Sequence, residues 1–278
     1  PRSTLFPYTT LFRSKRAFVK DAVPHGTVLT LPATGSEMNS GAVITKAESK
    51  EKLAFMSPKV MPLFSVLDPE TIYSLPDKQI ANGIADAFVH VIEQYLTFAA
   101  NSPLQDRFSE GILLTLIEEG PKVMANKNDY NAAANFMWSA TLALNGLIGA
   151  GVPQDWATHM IGHELTAYHG IDHGRTLAIV LPGVMQVMRE QKKDKILQFG
   201  QRVWGVVDGT DDEKIDKTIK KTINFFESLG IPTRLSAYSV TKETITTITD
   251  RFRQRGYKLG ENGNIGPDEI KLILEDRI

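Results

Sequence analysis

Cysteine is absent from the 278 residues. That excludes a disulfide framework, thiolate metal ligands and a cysteine nucleophile, and it fits a reducing, cytoplasmic setting. No run approaches the ~20 uninterrupted apolar residues of a membrane span, so no membrane partner is expected. Neither charge dominates: Lys+Arg 31 against Asp+Glu 32 gives a net charge of −1. Interleaved charges of that balance argue against a nucleic-acid surface or a polybasic membrane patch. There is no internal repeat, and hydrophobic residues at 42% are too many for low-complexity disorder. An initiating methionine is also missing. The opening segment Arg2–Ser14 contains Thr-Leu-Phe twice, has no helix or strand period and lacks the layout of a signal peptide. Residues 1–14 are therefore expected to be a non-native leader of cloning or adapter origin that packs poorly.

What remains divides into two textures. Between residue 15 and residue 76, short β-branched or apolar runs stand between turn residues: Thr27–Leu31, Ala42–Thr45 and Val60–Leu67 read as strands. From Asp77 onward the period becomes helical. Ile80, Ile84, Phe88, Val91, Ile92 and Tyr95 mark an amphipathic helix to about residue 98. Further helices are expected at 104–119, 129–148 and 155–168, and from 173 with a kink at Pro182. Thr210-Asp-Asp-Glu213 reads as a capping box opening a helix that Gly230 and Pro232 stop, and 241–255 and 267–277 complete the set. Strands so few and short need partners. The expected fold is an α/β remnant (15–76) of a truncated domain, followed by an all-α domain (77–278), the missing part having preceded residue 15.

Five of the six histidines fall into two groups. Asp86 and His90 stand at i,i+4, on one helical face. His159 and His163 repeat that spacing, followed by His169 and His173. Imidazole and carboxylate donors suit Zn²⁺ and Fe²⁺, and helical pairs supply them at fixed separation. Asp86, His90 and two of the later histidines would make a site of three nitrogens and one oxygen. Burying so many polar groups with separate partners would be costly otherwise. His25, between Pro24 and Gly26, reads as a solvated turn residue. A metalloprotease is excluded because Ala167 stands where His-Glu-x-x-His needs its second histidine. A serine hydrolase is excluded because no Gly-x-Ser-x-Gly elbow exists.

At these residues the chain resembles the iron-containing (group III) alcohol dehydrogenases, in their butanol dehydrogenase and NADPH-dependent aldehyde reductase branch. The resemblance rests on Val66-Leu67-Asp68-Pro69, Leu75-Pro76, Gly83-x2-Asp86-x3-His90-x2-Glu93, and Gly151-Val-Pro-Gln-Asp-Trp-Ala-Thr-His159-x3-His163-x9-His173-Gly174. It implies a dehydroquinate synthase-like architecture, in which 15–76 is the remnant of a truncated Rossmann-like nucleotide-binding domain and 77–278 the helical metal-binding catalytic domain, and a metal held by Asp86, His90, His159 and His173. His163 is implied near the substrate, on a proton path; His169 is left a structural or pocket-rim role. The segment Thr30–Asn39 resembles a nucleotide-contacting loop, which implies cofactor contacts from Thr30, Thr34 and Asn39, with Lys52 reaching a ribose or phosphate and Thr71 flanking the nucleotide. The implied activity interconverts primary alcohols and aldehydes with NADP(H) in preference to NAD(H), in a homodimeric parent enzyme. Phe88, Trp156 and Tyr168 are candidate apolar walls that would exclude water, with plain core packing as the alternative for each. The family's Gly-Gly-Gly-Ser phosphate loop is not in the chain. Glycerol dehydrogenase-like or dehydroquinate synthase-like chemistry, and a metal-binding fragment without turnover, are the alternatives.

Overall fold

The computed structural model describes residues 19–46 and 51–278, so the expected leader at 1–14 lies outside the described residues. Among the described residues, four short strands lead into nine α-helices. Strands β1 (Gly26–Leu29) and β4 (Phe64–Leu67) pair in parallel, Gly26 opposite Phe64 and Leu29 opposite Leu67. Strands β2 (Gly41–Lys46) and β3 (Glu51–Met56) form an antiparallel hairpin. β3 was not expected, because its charged start weakens a strand pattern; pairing with β2 supplies what local sequence does not. The expected strand at 60–67 shrinks to its second half. Pro58 opens a 3₁₀ turn through Val60, and prolines without N–H groups keep the ladder from extending upstream.

The helices are α1 (Asp77–Tyr95), α2 (Pro103–Ala125), α3 (Tyr130–Leu144), α4 (Ala157–His169), α5 (His173–Val187), α6 (Lys193–Arg202), α7 (Asp211–Ser228), α8 (Lys242–Arg255) and α9 (Pro267–Glu275). All but α6 correspond to sequence expectations, but α2 runs six residues past the expected end at 119, through Gly120 and Pro121. α5 runs through Pro182 as one element. The capping box is present: the Thr210 hydroxyl accepts from Glu213 N at 3.3 Å, and Glu213 Oε2 accepts from Thr210 N at 2.8 Å. A Thr210→Ala change is expected to cost about 1 kcal/mol, read as a lower denaturant midpoint with an unchanged slope.

Two apolar clusters organise the helices. One joins α1, α2, α3, α6, α7 and one side of α5 around Phe88, Phe199, Phe225 and Phe226, and the other joins α4, α8, α9 and the other side of α5 around Ile161, Ile248, Phe252 and Ile270. α1 is not amphipathic in the expected sense, since every residue from Ile80 to Tyr95 is buried. A helix covered all round is a core helix, so its polar stripe (Asn82, Asp86, His90, Glu93 and Gln94) must find partners inside the protein. That stripe is where the site lies. Among the described residues, no helix is long and apolar enough to cross a membrane.

Candidate metal centre

Close backbone approaches bring three elements onto the α1 stripe. A Cβ on Gly83 would stand 2.3 Å from the Pro32 carbonyl oxygen, so only glycine lets the loop after β1 lie against α1 one turn before Asp86. A Cβ on Gly174 would stand 2.3 Å from the Asn82 carbonyl oxygen, which sets the start of α5, and with it His173, against α1. A Cβ on Gly162 would meet Thr176 Oγ1 at 2.9 Å, which sets α4 against α5. Asp172, just ahead of α5, is anchored to α1 by Lys78 at 2.7 Å and by Asn82 Nδ2 at 3.0 Å.

Three imidazoles converge on one carboxylate oxygen. Asp86 Oδ1 lies 3.5 Å from His159 Nε2, 3.6 Å from His90 Nε2 and 3.8 Å from His173 Nε2. Those separations are too long for good hydrogen bonds, and Asp86 Oδ1 and His159 Nε2 are buried without a partner. A tetrahedral ion with ligands at about 2.0–2.2 Å holds its donor atoms about 3.3–3.6 Å apart. The spacing therefore suits a cation between the groups better than bonds among them. Donor atoms of Asp86, His90 and His159 all lie within 4.8 Å of one another; His173 stands slightly outside that group, its ring 5.2 Å from that of His159.

The electrostatics agree. Burial pushes the Asp86 carboxyl up, but the facing His90, His159 and His173 more than reverse this and hold it well below the usual carboxylate range. Burial lowers His90 to about 4 and pushes His163 and His173 well below the ordinary imidazole value. Neutral imidazoles facing a carboxylate are the protonation states a metal requires. His159 differs: burial would lower it, but Glu93 and Asp86 raise it to about 9. Glu93 Oε2 makes a short hydrogen bond with His159 Nδ1, and Glu93 Oε1 accepts from His159 N at 3.3 Å. A carboxylate on one ring nitrogen aims the other at the site and fixes the tautomer. The motif containing Glu93 was legible in sequence, but its grip on His159 was not, because the two are 66 residues apart. Glu93→Gln is expected to weaken metal binding roughly tenfold, checked by chelator competition.

The other site candidates separate. His163 is buried with its ring 4.9 Å from that of His173, so it borders the cluster. His169 points elsewhere and bonds Thr244 Oγ1 at 3.0 Å; His25 is exposed. Trp156 does form a wall, its ring 5.3 Å from His159 and 6.2 Å from His90. Phe88 does not: helical rotation turns it into the aromatic core against Phe225 and Phe226. Tyr168 stacks under Arg251, at 5.1 Å, not at the cluster. In the loop after β1, Thr30 and Thr34 are exposed. The Asn39 amide closes that loop, donating to Thr34 O at 3.0 Å and accepting from Gly41 N at 2.9 Å. Thr71 bonds Leu29 O at 3.1 Å, beside Thr30. Lys52, on β3, is lowered by burial and drawn back up by the charge of Asp86.

This site and fold have known counterparts. The profile described as the Fe-containing alcohol dehydrogenase family, C-terminal, matches residues 80–277, and that of iron-containing alcohol dehydrogenase matches residues 3–69, reaching into the expected leader. The chain belongs to the iron-containing alcohol dehydrogenase family and is by that membership an alcohol and aldehyde oxidoreductase. It falls in the aldehyde reductase and butanol dehydrogenase branch. It is 55% identical to the NADPH-dependent aldehyde reductase YqhD of Escherichia coli K12, over 92% of this chain and 67% of that protein. It is 39% identical to a probable NADH-dependent butanol dehydrogenase of Bacillus subtilis, over 94% of this chain and 68% of that one. The crystal structure of E. coli YqhD superposes with a TM-score of 0.94 at 50% identity, covering 100% of this chain and 71% of that chain. That of butanol dehydrogenase A from Thermotoga maritima gives 0.89 at 31% identity, covering 98% and 71%. The chain thus spans about two thirds of the length of these relatives.

Proposed function

We propose that the chain carries the metal-binding half of an NADP(H)-dependent aldehyde reductase that interconverts primary alcohols and aldehydes. The observation that carries this reading is the convergence of three imidazole nitrogens on Asp86 Oδ1. Asp86, His90, His159 and His173 would hold one Fe²⁺ or Zn²⁺, both of which accept this donor set. When bound, the ion supplies Lewis acidity, which lowers the pKa of an alcohol and polarises an aldehyde oxygen; the nicotinamide supplies or accepts hydride.

The chain's own residues do the rest. Glu93 orients His159, and Trp156 shields the ligand rings from water. His163, kept neutral by burial, can pass a proton to or from a substrate oxygen beside His173. Thr30 and Thr34 offer exposed hydroxyls for a nucleotide on the loop that Gly83 lets lie against α1. Asn39 shapes that loop and would touch the cofactor, Thr71, bonded to Leu29 O, would flank the nucleotide, and Lys52 would reach a ribose or phosphate. NADP(H) over NAD(H) is supported by the NADPH dependence in the name of the relative at 55% identity. The division into residues 15–76, completing a nucleotide-binding domain, and residues 77–278, carrying the metal, follows the change from strands to helices at Asp77. A cytoplasmic homodimer is the setting the family resemblance supports.

The test is metal analysis with NADPH titration of the purified chain. Near-stoichiometric iron or zinc and saturable NADPH binding with reduction of a short aldehyde are expected. Metal without NADPH binding would reduce the reading to a metal-binding fragment. Neither ion bound would overturn it.

A further inference from the structure

The turn that launches α4 is strained, and a buried cation stands behind it. Trp156 adopts φ 65° and ψ 8°, left-handed backbone that is unfavourable for a bulky residue and persists only where its surroundings hold it. His159 follows in the first turn of α4. Asp155, before the strained residue, is held at three points. Its N–H donates to the Glu93 carbonyl at 2.8 Å, its Oδ1 accepts from Ala157 N at 2.7 Å, and its Oδ2 meets Lys192 Nζ at 2.7 Å. Lys192 also meets Glu261 Oε2 at 2.8 Å and donates to the Leu96 carbonyl at 2.7 Å, so each of its three N–H donors has an acceptor. The side chains of Lys192, Asp155 and Glu261 are 1%, 4% and 0% exposed. Burial would lower the Lys192 ammonium, but the two carboxylates reverse this and raise it, so the cation persists.

We infer that Lys192 is a positioning residue of the metal centre: through Asp155 it locks the Trp156 turn, and so delivers His159 and the Trp156 indole to the site. The inference rests on the reading of Asp86, His90, His159 and His173 as metal ligands. Three links join the cation to the site. Asp155 caps the first turn of α4, which carries His159. The same Asp155 bonds the backbone of Glu93, whose carboxylate grips His159. The turn between them places the indole against the rings of His90 and His159. Without the ion pair, the strain at Trp156 can relax by turning the start of α4, and His159 moves with it.

The test compares the full chain with its Lys192→Met, Asp155→Asn and His159→Ala variants. Zn²⁺ affinity is read by chelator competition, ligand geometry by the visible absorption of bound Co²⁺, and the order of residues 155–160 by hydrogen exchange of the metal-free proteins. Lys192→Met and Asp155→Asn are expected to lose about tenfold in Zn²⁺ affinity, to alter the Co²⁺ bands, and to exchange faster at 155–160 than the wild type. Lys192→Met leaves two buried carboxylates uncompensated and can fail to fold. Asp155→Asn then decides, because its amide oxygen can still cap Ala157 while the ion pair is gone. A folded Asp155→Asn chain with wild-type Zn²⁺ affinity and Co²⁺ spectrum would overturn the inference, even if it melts earlier, because the ion pair would then be only structural. A wild-type chain that binds neither ion, or a His159→Ala chain that binds as the wild type does, would overturn the metal reading itself.

Discussion

Replacing His159 by alanine is expected to weaken divalent-metal binding by about 10²–10³-fold. Four-ligand zinc sites in small folding units are worth roughly 10–16 kcal/mol, so one donor of four accounts for about 2.5–4 kcal/mol if the share is even. Loss at His159 also strands the Glu93 carboxylate, which would keep a buried position with no ring N–H to bond. The measurement is Zn²⁺ competition on metal-free protein, with the melting temperature recorded in excess metal and in chelator. In the wild type, bound metal should raise the melting temperature by mass action; in His159→Ala that increment should largely vanish at the same metal concentration. His169→Ala is the matched control. It removes a histidine from the same helix whose ring bonds Thr244, and it should bind metal as the wild type does. Equal affinity in wild type and His159→Ala would refute the ligand assignment.

The second large effect is expected at a residue with no side chain. Gly174→Ala would put a methyl group 2.3 Å from the Asn82 carbonyl oxygen and 2.9 Å from the Asn82 carbonyl carbon. Those are backbone atoms of a helix buried on all sides, so no side chain can swing away and the two helices must separate. Overpacking of well-filled cores costs typically 1–3 kcal/mol, and an unyielding backbone contact belongs at the upper end, about 3 kcal/mol. For a chain of this length that corresponds to a fall of roughly 6–12 °C in melting temperature. His173 is the residue before Gly174, and Asn82 is one turn before Asp86, so the same displacement should also lower metal affinity. Gly170→Ala serves as the comparison, since a Cβ there meets nothing within 4 Å and its cost is confined to the left-handed backbone at φ 65°. If Gly174→Ala melts and binds metal no differently from Gly170→Ala, the close approach does not set the site.

Much of this was readable along the chain because it is local. The i,i+4 spacing of Asp86 and His90, and of His159 and His163, follows from helical period alone. So do the capping box at Thr210 and the stop at Gly230, because a cap is satisfied within one turn of its own helix. β3 was overlooked because a charged six-residue strand is stabilised by its hairpin partner rather than by its own pattern. α1 looked amphipathic because Asn82, Asp86, His90 and Glu93 form a polar stripe, and period alone does not reveal whether water or another helix faces a stripe. Phe88 stands two residues after Asp86, and positions i and i+2 do not share a helix face, so it takes the plain-core alternative against Phe225 and Phe226.

Residue order therefore dictated which donors exist, which pairs share a helical face, and where glycine leaves room for two backbones to meet. Packing chose among them. It turned His159 and His173, from helices distant in sequence, toward Asp86, set His159 on Glu93, directed His169 to Thr244, and placed a lysine behind the strained turn at Trp156. The physical reason is range: hydrogen bonds and side-chain periods within a helix span a few residues, whereas desolvation and Coulomb forces act on whatever the folded chain brings together, however far apart in sequence.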